Sequence, residues 1–263
     1  MLALYHNGMS VTSQKVRLAL AEKGLDWESH TLNLRAGDQQ KPDYVRLNPN
    51  ALVPTLVHDG RVVIESTLIN EYVDDAFPDP PLKPADAYAR WRMRRWTMAL
   101  DESIHFFMGS LTYPIAYSHE YASKPREEVE AYLAAIPDPA RRERNRENIL
   151  KGLESRYFAD AVRRYHRMLA DIDAALRDGP WLAGAAYSLA DIGYAPYVTK
   201  LDQLGFRPWL DSVGPRVGDW YDRLCARPAY ETAVTRWVSK PTAALLREKG
   251  VEAWPTVKAI AGA

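Results

Sequence analysis

Two hydrophobic rhythms divide this chain. Leu2 to Tyr5 is a short apolar run that predicts a strand. From Ser13-Gln14-Lys15 the period lengthens: Val16, Ala19 and Leu20 share one helical face, and Gly24 stands where a helix ends. Trp27 to Leu34 predicts a second strand, so the opening unit reads strand, helix, strand and favours a parallel pair with a right-handed crossover. Leu52, Val53, Thr55, Leu56 and Val57 form a strand pattern interrupted by Pro54, which lacks the N–H that a central strand donates. The turn His58-Asp59-Gly60-Arg61 and the run Val62-Val63-Ile64 complete a hairpin, and Glu65-Ser66 opens a helix carrying Leu68, Ile69, Tyr72, Val73 and Ala76. This order predicts an α/β thioredoxin-like N-terminal domain over residues 1–78.

At "FPDPPLKPAD", residues 77–86, four prolines in seven positions forbid regular structure, which predicts a linker over residues 79–86. Beyond it no strand pattern occurs, and residues 87–263 read as an all-helical bundle domain. Helical periodicity runs from about Asp86 to Met108, Glu154 to Arg177, Ser188 to Gln203 and Pro215 to Arg227. Between the first two lies a proline-punctuated segment, residues 109–153, whose run "RRERNRE" interleaves acids with bases and reads as a solvated helix face. In "AYSLADIGYA", Ser188 and Asp191 have capping-box spacing with Tyr187 and Ile192 at the staple positions, a folding signal rather than an active site.

Composition narrows the functions. Lys plus Arg equals Asp plus Glu at 34 each, so no global field draws the chain to nucleic acid or to a membrane surface. No apolar run is long enough to span a bilayer and the first residues lack a secretory pattern, so a cytoplasmic location is expected. The single cysteine, Cys225, excludes a disulfide framework and reads as a packed thiol, and the six histidines lack metal-site spacing.

Candidate chemistry starts with "GMSVTSQK". Ser10 and Ser13 stand where redox thioredoxin folds place CxxC. Hydroxyls cannot exchange disulfides, but at a helix N-terminus they either cap the helix or donate to a thiolate brought in by a ligand. A hydrogen bond to a charged group is worth about 1.5–3 kcal/mol, so one serine can lower a thiol pKa by about one to two units. If the Val53–Pro54 bond is cis, Val53 turns its own N–H and C=O outward to pair with a peptide-like ligand. The Glu65-Ser66 helix start offers free N–H groups, a hydroxyl and a carboxylate for an amino-acid head group. A thiol, a peptide unit and an amino-acid head group describe glutathione.

On these motifs, "NPNALVPTL", "ES" before a helix, the proline-rich linker and "YSLADI", the chain resembles the cytosolic glutathione transferases across both domains. The resemblance implies a thioredoxin-like domain followed by a helical domain that holds the acceptor, glutathione as co-substrate, and a homodimer. It implies glutathione contacts at Gln40, Val53, Pro54, Glu65 and Ser66. In the theta, phi, tau and zeta classes the catalytic serine precedes the first-helix valine by six residues, which is Ser10 here. The stretches "VHDGRVVIESTLINEYVDD", "KPADAYARWRMRRWTMALDE", "IPDPARRERNRENI" and "DRLCARPA" are most similar to bacterial β-aryl etherases, in which the corresponding residue aligns with Ser13. Both serines therefore stand as candidates. The implied partner is a small aromatic electrophile; a dehalogenase, a general conjugating transferase and a non-catalytic scaffold are the alternatives. Tyr88, Trp91, Trp96, Phe106, Phe107, Tyr113 and Tyr117 either line an acceptor pocket or serve packing and a subunit interface, and His105 is expected to pack or lie in an interface.

Overall fold

The computed structural model describes residues 1–262. Strands β1 (Leu2–His6), β2 (Glu28–Thr31), β3 (Thr55–His58) and β4 (Arg61–Val63) form one sheet in the order β2-β1-β3-β4. β1 and β2 run parallel, and the hairpin strands β3 and β4 are antiparallel. β2 is shorter than the Trp27–Leu34 run and mostly exposed, because it forms the sheet edge and only four of its residues pair with β1. Alternation along β1 splits its side chains between two faces. Leu2 and Leu4 join Val16 and Leu20 of α1 (Val11–Glu22) and Ile69 and Val73 of α3 (Ser66–Ala76). Tyr5, on the opposite face, packs against Leu32, Val53 and Tyr44 of α2 (Pro42–Leu47).

The remaining elements are helices α4 (Ala87–Ala99), α5 (His105–Thr112), α6 (Ser118–Ala122), α7 (Arg126–Ala134), α8 (Pro139–Lys151), α9 (Arg156–Ala175), α10 (Leu189–Gln203), α11 (Arg207–Val213), α12 (Pro215–Cys225), α13 (Pro228–Ala233) and α14 (Lys240–Ala261). α4, α5 and α6 form one continuous helical run joined by π-helical turns at Leu100–Ile104 and Tyr113–Tyr117. The second turn contains Pro114, whose missing N–H a regular helix would need. The "RRERNRE" run is helical, as expected, but is not a plain solvated face: Arg144 and Glu147 within it are buried.

Packing groups the chain into two compact units. The first comprises Met1–Thr97, Asp178–Val198 and Trp220–Ser239, so the unit that contains the sheet also takes in two helical stretches from far along the sequence. Within it the capping box forms: Asp191 accepts from Leu182 N, Ser188 N, Ser188 Oγ and Trp220 Nε1 at 2.9–3.2 Å. The second unit holds Met98–Arg177, Thr199–Asp219 and the chain from Lys240. There α14 passes so close to the end of α10 that a Cβ built on Gly250 would lie 1.9 Å from the Leu204 carbonyl oxygen.

Candidate functional site

Ser10 is the N-cap of α1, with extended backbone (φ −70°, ψ 124°), and its Oγ accepts from Ser13 N at 3.3 Å. It also contacts Thr12 Oγ1 at 2.9 Å, and Thr12 Oγ1 donates to the Val53 carbonyl at 2.9 Å. Because the Thr12 proton is committed to Val53, the Ser10 hydroxyl is the donor to Thr12. A chain of two hydroxyls thus ties the start of α1 to the segment before β3. Ser10 and Thr12 are half-buried; Ser13 is fully buried, with Oγ accepting from Asn7 N at 3.3 Å. The two candidate serines are thereby unequal: a ligand atom has access to Ser10 and none to Ser13.

The Val53–Pro54 bond is cis. Tyr44 and Asn48 hold the preceding residue, donating to the Leu52 carbonyl at 2.5 and 2.9 Å. Of the two backbone groups of Val53 expected to face a ligand, only the N–H lacks a partner among the described residues. The carbonyl already takes the Thr12 proton, which corrects that expectation and leaves it one lone pair.

Glu65 precedes α3 at φ 67°, ψ 107°, a conformation that costs a non-glycine residue about 1–3 kcal/mol and recurs at ligand sites. Its exposed carboxylate is held by Asn50 Nδ2 at 3.2 Å. No side chain caps α3, so its first-turn N–H groups, beginning at Ser66, remain available to an anion. The buried Lys15 ammonium donates to Thr67 Oγ1 in that same turn at 2.7 Å and adds positive charge. Gln40 stands apart: it ends the turn Asp38–Gln40, and its side-chain oxygen folds back 3.1 Å from where a Cβ on Gly37 would sit.

The β1–α1 loop carrying Ser10 is clamped by Arg17, which is 1% exposed. Its guanidinium donates to the carbonyls of Ala233 (2.7 Å), Asn7 (3.1 Å) and Gly8 (2.8 Å) and contacts His6 Nδ1 at 3.0 Å. Burial, with the Arg17 charge second, holds the His6 ring down to about 3, so it is a neutral acceptor at neutral pH. Thr12, Lys15, Asn50 and Arg17 escaped the sequence reading. Thr12 alone carried a local signal, lying between the two serines.

The aromatic residues of the helical run divide. Trp96 packs edge-on against Tyr194, whereas Tyr88 and Trp91 stack at 5.2 Å and are 67% and 48% exposed. His105 is exposed. Among the described residues no cluster fit for a metal occurs, and no helix is long and apolar enough to cross a membrane.

Residues 9–76 match the family model described as "Glutathione S-transferase, N-terminal domain", and residues 139–223 match "Glutathione S-transferase, C-terminal domain". The chain is 30% identical to Protein LigF of Sphingobium sp. (strain NBRC 103272 / SYK-6), covering 87% of this chain and 91% of that one. It is 31% identical to the tetrachloro-p-hydroquinone reductive dehalogenase of Sphingobium chlorophenolicum, covering 88% and 95%. The crystal structure of the β-etherase LigF from Sphingobium sp. strain SYK-6 superposes with a TM-score of 0.80 at 30% identity, over 88% of this chain and 98% of that one. A theta-class glutathione S-transferase from Xanthomonas axonopodis pv. citri, solved with glutathione bound, superposes at 0.65 with 25% identity, over 89% and 96%. With both domains matched and near-complete relatives on either side, the chain belongs to the glutathione S-transferase family.

Proposed function

We propose that this protein uses glutathione as co-substrate, stabilises its thiolate with the Ser10 hydroxyl, and transfers it to an aromatic electrophile. The observation that carries this reading is the Ser10–Thr12–Val53 chain, which joins a hydroxyl at a helix N-terminus to a backbone segment with an unpaired N–H beside cis-Pro54. Val53 pairs with the peptide unit; Glu65 and the first turn of α3 hold the ammonium and carboxylate of the γ-glutamyl group. The preferred acceptor is a β-O-4 aryl ether with a ketone at the α carbon. The ketone activates Cβ: the C–S bond forms there, the Cβ–O bond breaks, and the phenolate leaves with the electron pair and takes a proton from water. No general acid is required. The test is phenol release together with a glutathione conjugate from a fluorogenic α-keto aryl ether. No release from either enantiomer, with turnover of an aryl halide, would replace the etherase reading with a dehalogenase one.

The second reading rests on the 31% identity to the tetrachloro-p-hydroquinone reductive dehalogenase. The sole cysteine, Cys225, lies in α12, so reductive removal of a halide would draw both thiols from glutathione. We also propose a cytoplasmic homodimer, joined through the exposed Leu68 of α3 and Tyr88 and Trp91 of α4. Light scattering coupled to gel filtration should give a dimer mass, and Trp91→Glu a monomer. A monomeric unsubstituted chain would refute that assembly.

A further inference from the structure

The cations of α8 are unequally satisfied. Arg146 pairs with Glu130 at 2.5 Å, and Arg142 donates twice to the Ile136 carbonyl, at 3.1 and 2.7 Å. Arg141 and Arg144 have no hydrogen-bond or ion-pair partner among the described residues. A carboxylate within electrostatic reach of both, Asp138, is the helix cap, with Oδ1 accepting from Ala140 N at 2.9 Å.

Arg144 is the sharper case, being 8% exposed with its guanidinium carbon 3.6 Å from the centre of the Phe106 ring. A ring face returns about 0.5–2 kcal/mol to a cation, but it leaves the in-plane N–H donors without acceptors. Removing an ion from water costs several kcal/mol unless a counter-charge or hydrogen bonds compensate. Desolvation accordingly lowers both groups from the ordinary arginine value, and the Arg141 charge lowers Arg144 further. The donors are nonetheless not sealed: among the described residues, no unpartnered side-chain atom cut off from solvent lies on α8.

Two guanidinium groups three positions apart share one helix face. Each presents a planar fork that fits a carboxylate bidentately. Rings flank them. Phe106 is 41% exposed, and the hydroxyls of Tyr113 and Tyr132, bonded to each other at 2.9 Å, lie within electrostatic reach of Arg141. We propose that Arg141 and Arg144 of α8, with Phe106, form a binding site for a small aromatic carboxylate. The guanidinium forks take the carboxylate and Phe106 contacts the ring, which favours an aromatic acid over inorganic phosphate.

The test is calorimetric titration of the full chain, without glutathione, using benzoate, benzamide, acetate and inorganic phosphate in turn. Running it without glutathione keeps the result independent of the glutathione reading. Benzoate should bind once per chain, the other three at least tenfold more weakly. Arg141→Met and Arg144→Met should each weaken benzoate at least tenfold, with Arg146→Met unchanged. Benzamide binding as well as benzoate would overturn the anionic requirement, and acetate or phosphate binding as well would overturn the aromatic one. No benzoate binding, or full affinity in both methionine variants, would remove the site altogether. If Arg144→Met loses its folded circular-dichroism spectrum, the four-ligand comparison on the unsubstituted chain still decides.

Discussion

Ser10→Ala should raise the pKa of bound glutathione by about one unit, and the size follows from the state of the hydroxyl beforehand. In the free chain Ser10 already donates to Thr12, because Thr12 has given its proton to the Val53 carbonyl. Turning to a thiolate exchanges a neutral hydrogen bond worth about 0.5–1.5 kcal/mol for a charge-assisted one worth about 1.5–3 kcal/mol. The difference is about 1–1.5 kcal/mol, or about one pKa unit. Thr12→Val removes the competing acceptor and should lower the thiol pKa by about half to one unit. Ser13→Ala should leave it within about 0.3 of a unit of the unsubstituted value, since its oxygen is fully buried against Asn7 N. The assay follows thiolate ultraviolet absorbance against pH at saturating glutathione in all four proteins. Ser10→Ala also removes a helix cap, costing about 1 kcal/mol and about 2–4 °C of melting temperature, which is measured separately. A shift in Ser13→Ala with none in Ser10→Ala would move the role to Ser13. A rise on Thr12→Val would disprove the direction of the hydroxyl chain.

Burial holds the His6 ring down to about 3, so its contribution to stability is full above the unfolded value of 6.5 and is lost as pH falls toward 3. Relative to His6→Asn, the unsubstituted chain should lose about 1.4 kcal/mol per pH unit in that window by urea unfolding; parallel pH profiles would contradict the burial argument. Asp191 runs the other way. Burial raises it from 3.8 to about 6 despite four donors, so its contribution is full below 3.8 and is lost as pH rises through 6; relative to Asp191→Asn, the unsubstituted chain should gain about 3 kcal/mol on acidification across that range. Gly250→Ala should destabilise the chain by about 1–3 kcal/mol or more, because backbone rather than a movable side chain occupies the space; an unchanged melting temperature would show that α14 yields. Arg17→Met leaves the Ala233 carbonyl without its donor, leaves the Asn7 and Gly8 carbonyls only the longer bonds from Ser10 N (3.3 Å) and Gln14 Nε2 (3.5 Å), and should cost about 2–4 kcal/mol in denaturant unfolding.

Much of the sheet region was legible because its signals are local. The apolar run of β1, the Asp59-Gly60 turn and the proline after Val53 each act within a few residues, and each stands where expected. α9, α10 and α12 followed their periodicity closely, with Ser188 immediately before α10. α14 was not among the periodic segments, and Gly250 and Pro255 inside it both disfavour a helix interior, yet Gly250 is what permits its close approach to Leu204. At the site, Ser10 and Pro54 were conspicuous, whereas Arg17 looked like any helical cation. Its burial depends on an acceptor 216 residues away, which no local pattern encodes. The α8 run failed as a solvated face for a related reason: interleaved charges describe composition, and which of them find partners is decided by packing.

The long reach of Arg17 also sets a timetable for synthesis. Its acceptor at Ala233, and the Trp237 carbonyl that would lie 2.7 Å from a Cβ on Gly8, belong to the last stretch of the first compact unit. At about 5–20 residues per second, the 216 positions separating Arg17 from Ala233 take about 10–40 s to translate. Throughout that interval the nascent sheet carries a cation without its full set of acceptors and a Ser10 loop without its cover. A ribosome that stalls before residue 233 would therefore release a chain that contains every proposed glutathione contact yet lacks part of the clamp that holds them in place, making this N-terminal region a client for chaperones until the distant stretch arrives.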